Sequence, residues 1–131
     1  MIICVVGLLY ESTGLYKESS IQILHPDTGA VIKKVSLPDK YFGEGLAVFM
    51  NLIYVLTWQE KEMLIYNSET LQFVNKIDFK TSSSEGWGLT VVSNHDGSLP
   101  YLLASDGSNI LTVWTLPTVA NNMQLEKVLN L

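Results

Sequence analysis

A set of short strand-like runs recurs along this chain every 41 to 47 residues, and that period restricts the fold more than any other feature. Glu44-Gly45-Leu46-Ala47-Val48 returns 43 positions later as Trp87-Gly88-Leu89-Thr90-Val91, and each copy precedes a tyrosine-led run, Tyr54-Val55-Leu56-Thr57 or Tyr101-Leu102-Leu103-Ala104. Ile21-Gln22-Ile23-Leu24 corresponds to Leu64-Ile65-Tyr66-Asn67 and then to Leu111-Thr112-Val113-Trp114. This is the period of a four-stranded propeller blade, and it is too long for most other solenoids. Three blade-like units follow, at about residues 1–37, 44–79 and 87–131, within one partial domain covering 1–131. The extra residues of the third unit fall in turns, at 93–100 and 119–123, where insertions cost little.

The runs are rich in Val, Ile, Leu, Tyr and Thr, are punctuated by Asp-Thr-Gly and Asp-Gly, and show hardly any helical period, so the fold class is all-β. Twelve strands of about five residues are expected: 2–6, 8–13, 20–24, 30–36, 45–50, 52–57, 63–67, 72–78, 89–93, 101–105, 110–114 and 124–129. Of the 131 residues 47% are hydrophobic and only 16% charged, against about 25% charged in an average soluble domain. Disorder is excluded, and much of the apolar surface must be covered by something. Eight basic residues, all lysine, against thirteen acidic ones give a net charge of −5. No basic cluster exceeds Lys33-Lys34, so neither nucleic acid nor an anionic membrane is an expected partner. No apolar run reaches the ~18 residues of a membrane-spanning helix. The opening Met1 to Leu9 has no basic leader and no small-residue cleavage site, and it reads as a buried strand rather than a signal peptide. Cys4 is the only cysteine, which rules out an internal disulfide and a Cys-rich metal site and leaves the compartment open.

Chemistry gathers at the junctions between units. Tyr41-Phe42-Gly43-Glu44-Gly45-Leu46 sets a carboxylate between two glycines beside an aromatic, and Ser84-Glu85-Gly86-Trp87-Gly88-Leu89 repeats the arrangement one unit on. Loops entering the innermost strands of a propeller ring its central channel, so Glu44, Glu85, Trp58 and Trp87 would converge on one mouth. A carboxylate desolvated there has its pKa raised, which suits a proton shuttle near pH 7; a solvated turn carboxylate is the plainer alternative for an isolated Gly-Glu-Gly. Asp96-Gly97 and Asp106-Gly107 read as turns. His25 and His95 read as surface turn residues, and no zinc ligand set is present. Tyr66 and Trp114 read as packing residues between units.

Taken in order, Tyr10-Glu11-Ser12-Thr13-Gly14-Leu15-Tyr16, Ser19-Ser20, Tyr41-Phe42-Gly43-Glu44-Gly45-Leu46, Leu56-Thr57-Trp58, Glu85-Gly86-Trp87-Gly88-Leu89-Thr90 and Ser105-Asp106-Gly107-Ser108 resemble the plant and bacterial type of glutaminyl-peptide cyclotransferase, from about Leu9 to Leu116. The resemblance implies a five-bladed β-propeller that converts the N-terminal glutamine of a peptide or protein into pyroglutamate with loss of ammonia, without a cofactor or metal. It carries the catalytic glutamate onto Glu44 and the pocket aromatics onto Phe42, Trp58 and Trp87. Glu85 is a weaker substrate-binding candidate, and Glu11 reads as structural.

Such a reaction needs no enzyme nucleophile, since the substrate's own α-amine attacks its γ-carboxamide. It needs a proton shuttle, aromatic walls that fold the glutamine side chain and exclude water, and donors to the developing oxyanion, for which indole N–H groups and loop amides are the candidates. The family also carries a Phe-Thr-Gln-Gly segment upstream that Met1 to Leu8 does not reproduce. Three units are fewer than five blades, so the chain is expected to be an incomplete propeller whose open blade edges invite self-association. The alternative reading is a non-catalytic propeller fragment or interaction module.

Overall fold

In a computed structural model, residues 1–116 and 125–131 are described, and they form three four-stranded antiparallel sheets. The first holds β1 (Ile2–Val5), β2 (Leu8–Thr13), β3 (Ser20–Leu24) and β4 (Val31–Ser36). The second holds β5 (Gly43–Phe49), β6 (Leu52–Thr57), β7 (Glu62–Asn67) and β8 (Phe73–Asp78), and the third β9 (Leu89–Val92), β10 (Tyr101–Ser105), β11 (Ile110–Thr115) and β12 (Leu125–Asn130). Each sheet is a meander whose strands pair in chain order, as in a propeller blade. No helix occurs among the described residues. The expected insertion at 119–123 and the expected start of the last strand at Gln124 lie outside them.

Strand ends follow turn chemistry. Val6 and Gly7 have φ of 48° and 75°, and Met50 and Asn51 have φ of 44° and 49°. Both pairs form the two-residue turns with positive φ that match strand twist, so β1 stops at Val5 and β5 at Phe49, one residue short of expectation in each case. β1 is a strand as expected but not a buried one: Ile2 is 53% exposed.

The second sheet is buried on both faces. Ile53 and Val55 of β6 join Tyr10, Ile21, Ile23, Leu46, Leu64 and Tyr66 in a core shared with the first sheet. Tyr54 and Leu56, which alternate with them, join Ala47, Met63, Ile65, Leu89, Leu102 and Trp114 in a core shared with the third. Period-two alternation sends successive side chains to opposite faces, and here both faces meet a neighbouring blade. Tyr66 and Trp114 do pack between blades, one in each core.

The repeat register differs from expectation in the second and third sheets. Leu46 pairs with Val55 and Leu89 with Ala104, so Tyr54 is matched by Leu103 rather than Tyr101. Val55 pairs with Leu64 and Ala104 with Thr112, so Leu64 is matched by Thr112 rather than Leu111, and the bulges after Ile23 and Ile65 match Ile21 with Met63 rather than Leu64. A one-residue slip exchanges the two faces of a strand, and the corrected register puts Tyr66 and Trp114 at equivalent positions. Inner strands β1, β5 and β9 lie side by side around a cleft of about 230 Å³ lined by Ile3, Cys4, Leu46, Val48 and Val91.

Candidate active site

Glu44 sits in a β-bulge. Gly43 pairs with Thr57 and Leu46 with Val55, so Glu44 and Gly45 together oppose Leu56. A bulge re-aims a side chain and frees backbone groups from the ladder, and here neighbouring blades take up the freed groups. The Gly43 N–H donates to Ser19 Oγ at 3.0 Å and the Glu44 carbonyl accepts from Ser12 Oγ, both from the first blade. The Gly45 N–H donates to the Trp87 carbonyl at 2.6 Å, at the entrance to β9.

The glycines of the motif serve this closeness of backbones. A Cβ at Gly45 would strike the Trp87 carbonyl oxygen and the Leu89 nitrogen, one at Gly43 would lie 2.8 Å from the Thr13 carbonyl oxygen, and one at Gly86 would strike the Thr57 carbonyl oxygen. Inner strands of successive blades touch here with no side chain between them.

The Glu44 carboxyl is half-buried, and among the described residues no donor hydrogen-bonds it. Burial raises its pKa; the Met1 ammonium opposes the rise and the Glu85 carboxylate adds to it. Loss of hydration disfavours the charged form, and a like charge does the same.

Aromatic residues flank this end of the blades. Phe42 packs edge-on against Trp58 and against Tyr16, each at 5.4 Å between ring centres. Glu60 ties that group together, accepting from Tyr16 Oη at 2.6 Å and from the Phe42 N–H at 3.3 Å. One blade on, Glu85 accepts from Trp87 Nε1 at 2.9 Å and from Gln59 Nε2 at 3.2 Å. Hydrogen bonds from Trp87, Trp58 and Gln59 hold its carboxyl below the usual range. The Trp87 indole N–H therefore points at Glu85. Trp87 is 47% exposed and lies over Gly107, where a Cβ would come within 2.8 Å of the indole. Main-chain bonds join the same segments: Trp58 N to Phe42 O at 3.0 Å, Gly86 N to Trp58 O at 2.8 Å and Trp87 N to Ser105 O at 3.1 Å.

Asp106, read from sequence as a turn residue, is 2% exposed, and its carboxylate accepts four hydrogen bonds. Two come from Ser108, through Oγ at 2.6 Å and N–H at 3.1 Å; the others come from Ser82 Oγ at 2.5 Å and the Ser83 N–H at 2.8 Å. Burial disfavours its charge, but these donors outweigh burial and keep the carboxyl well below the usual range. The serine run Thr81-Ser82-Ser83-Ser84 thus ties the loop carrying Glu85 and Trp87 to the next blade. Sequence reasoning missed this latch, and it also missed Ser12, Ser19, Tyr16 and Glu60, although all but Glu60 and the serine run stand in the motifs quoted above. Glu11 accepts from Gln22, its cross-strand partner, at 3.1 Å. His25 and His95 are exposed.

The sequence model of a family described as "Glutamine cyclotransferase" matches residues 2–129. Glutaminyl-peptide cyclotransferase of Arabidopsis thaliana is 34% identical over 103 residues, which are 79% of this chain and 30% of that protein. Among solved structures, Myxococcus xanthus glutaminyl cyclase superposes with a TM-score of 0.75 at 23% identity, over 99% of this chain and 49% of that one. The WD40 repeats of RRP9 superpose with a TM-score of 0.63 at 13% identity, over 95% of this chain and 35% of that one, a likeness of fold alone. This chain therefore spans less than a third of the Arabidopsis protein and about half of the Myxococcus chain.

Proposed function

The chain belongs to the glutamine cyclotransferase family, and from that premise we propose that its Glu44 end acts on peptides with an N-terminal glutamine, closing that residue to pyroglutamate with release of ammonia. In this reaction the α-amino nitrogen forms a bond to the γ-carboxamide carbon, and the bond from that carbon to the amide nitrogen breaks. The amine loses a proton and the departing nitrogen gains one, so a single group that accepts and returns a proton suffices. Glu44 takes that role.

The observation that carries the reading is the half-buried Glu44 carboxyl, whose pKa burial raises. A carboxyl so tuned is a better proton donor and acceptor near neutrality than an exposed one. Phe42 and Trp58, in edge contact at 5.4 Å, and Trp87 form the walls that hold the glutamine side chain folded against its own amine. Glu85 keeps the Trp87 indole in place. With the Trp87 indole N–H committed to Glu85, oxyanion stabilisation falls to loop amides and the Trp58 indole.

Ammonia release from a glutaminyl peptide, compared between the chain and its Glu44→Gln variant, tests the proposal. Removal of the shuttle should lower kcat by at least about a hundredfold. Equal rates would remove Glu44 from the mechanism, and no release from either protein would leave a non-catalytic propeller module.

A further inference from the structure

Ser12 carries a buried hydroxyl at a place where the neighbouring blade is apolar. It lies two residues after Tyr10 in β2, as Leu56 lies two residues after Tyr54 in β6. Ser12 pairs with Ile21 and Leu56 with Met63, and Ile21 and Met63 stand equally far before the bulges at Ile23/Leu24 and Ile65/Tyr66, so Ser12 corresponds to Leu56. Leu56 is fully buried and packs in the core between the second and third blades. Ser12 is 3% exposed, and its hydroxyl leaves its own sheet to donate to the Glu44 carbonyl across the blade interface. A buried hydroxyl costs stability unless it finds a partner, and a bulge carbonyl removed from its ladder needs one too. Each group satisfies the other.

We propose that Ser12 is a positioning residue for Glu44: its hydroxyl fixes the bulge carbonyl and so sets where the attached carboxylate points. The inference rests on the catalytic reading of Glu44 given above. Ser12 does not reach the reacting atoms. Ser19 holds the other side of the bulge through the Gly43 N–H, at 3.0 Å, and Trp87 holds Gly45 at 2.6 Å, so loss of Ser12 frees one side of a three-sided bracket. The charged groups facing Glu44 are the Met1 ammonium from the first blade and the Glu85 carboxylate from the loop before β9.

The test compares Ser12→Ala with Ser12→Thr, which restores a hydroxyl, and with Tyr10→Phe. Tyr10 Oη donates to the Ser68 carbonyl at 3.3 Å, also between the first and second blades. Tyr10→Phe therefore removes a bond of the same kind away from the bulge. Two readouts are used: kcat and KM with a glutaminyl peptide over a range of pH, and the Glu44 carboxyl titration followed by ¹³C NMR. Ser12→Ala should lower kcat about tenfold with little change in KM and move the Glu44 titration toward that of an exposed glutamate. Ser12→Thr should recover both, and Tyr10→Phe should lower stability while leaving both alone. An unchanged Glu44 titration in Ser12→Ala, or an equal change in Tyr10→Phe, would overturn the proposal. Should Ser12→Ala fail to fold, Ser12→Cys, which fills similar space with a weaker donor, carries the same comparison. If the unsubstituted chain releases no ammonia, the catalytic reading falls by itself and the titration alone decides the role of Ser12.

Discussion

The Trp87 indole N–H donates to the Glu85 carboxylate at 2.9 Å, across one intervening residue, and the same carboxylate also accepts from Gln59 Nε2 at 3.2 Å. Charge strengthens such bonds. Glu85→Gln removes that charge and leaves one amide oxygen to serve both Trp87 and Gln59. KM for a glutaminyl peptide should rise about fivefold to tenfold as the walls loosen. The negative charge on Glu85 also raises the Glu44 pKa, so its removal should shift the acid limb of the pH–rate profile to lower pH. A profile that keeps its acid limb would show that the two carboxylates do not communicate.

Asp106 is a tighter knot. Its four donors come from Ser82, Ser83 and Ser108, and an asparagine would turn an N–H₂ group toward one or more of them. Asp106→Asn should lower unfolding free energy by about 2 kcal/mol, read by urea titration. It should also weaken the near-ultraviolet circular dichroism of Trp87, whose indole lies over Gly107.

Away from the site, Glu62 accepts from Lys76, from Tyr41 Oη and from Lys40 Nζ at 3.2 Å. These partners, Lys76 first, hold its pKa at about 2 against an ordinary 4.5. A depressed carboxyl contributes stability that is whole above its unfolded pKa and is lost as pH falls toward the folded value. The chain should therefore lose stability between about pH 4.5 and pH 2. Glu62→Gln should be less stable at pH 7 by about 1 kcal/mol and show a shallower decline in thermal melts over that interval.

Two glycines should respond differently to alanine. At Gly45 the new Cβ meets main chain of the adjacent blade, which can give way only by parting the inner strands. Gly97 has φ of 78° and open space around it, so alanine there adds only the left-handed backbone penalty of about 1–2 kcal/mol. Chemical denaturation should find Gly45→Ala the more damaging of the two by about 2 kcal/mol.

Most strands were legible in the sequence because alternation and turn residues are local signals. The third-sheet register was not, because the match of Tyr54 with Tyr101 rested on residue likeness, whereas pairing depends on the hydrogen-bond ladder around a longer loop. Glu44 and its aromatics were named through motif resemblance. Their supports were hidden for a physical reason: Ser12 and Ser19 reach Glu44 and Gly43 across 32 and 24 residues of chain, and nothing local marks a serine as serving another blade. Asp106-Gly107 does look like a turn, and it is one; only burial shows that its carboxylate also gathers Ser82 and Ser83 from another blade.

The bulge at Glu44 belongs to one blade by sequence and to three by geometry, since the first blade grips its Gly43 N–H and Glu44 carbonyl and the entrance to β9 grips its Gly45 N–H. The second blade on its own would therefore carry the glutamate without its grips, and the carboxylate has a fixed position only where three blades stand together.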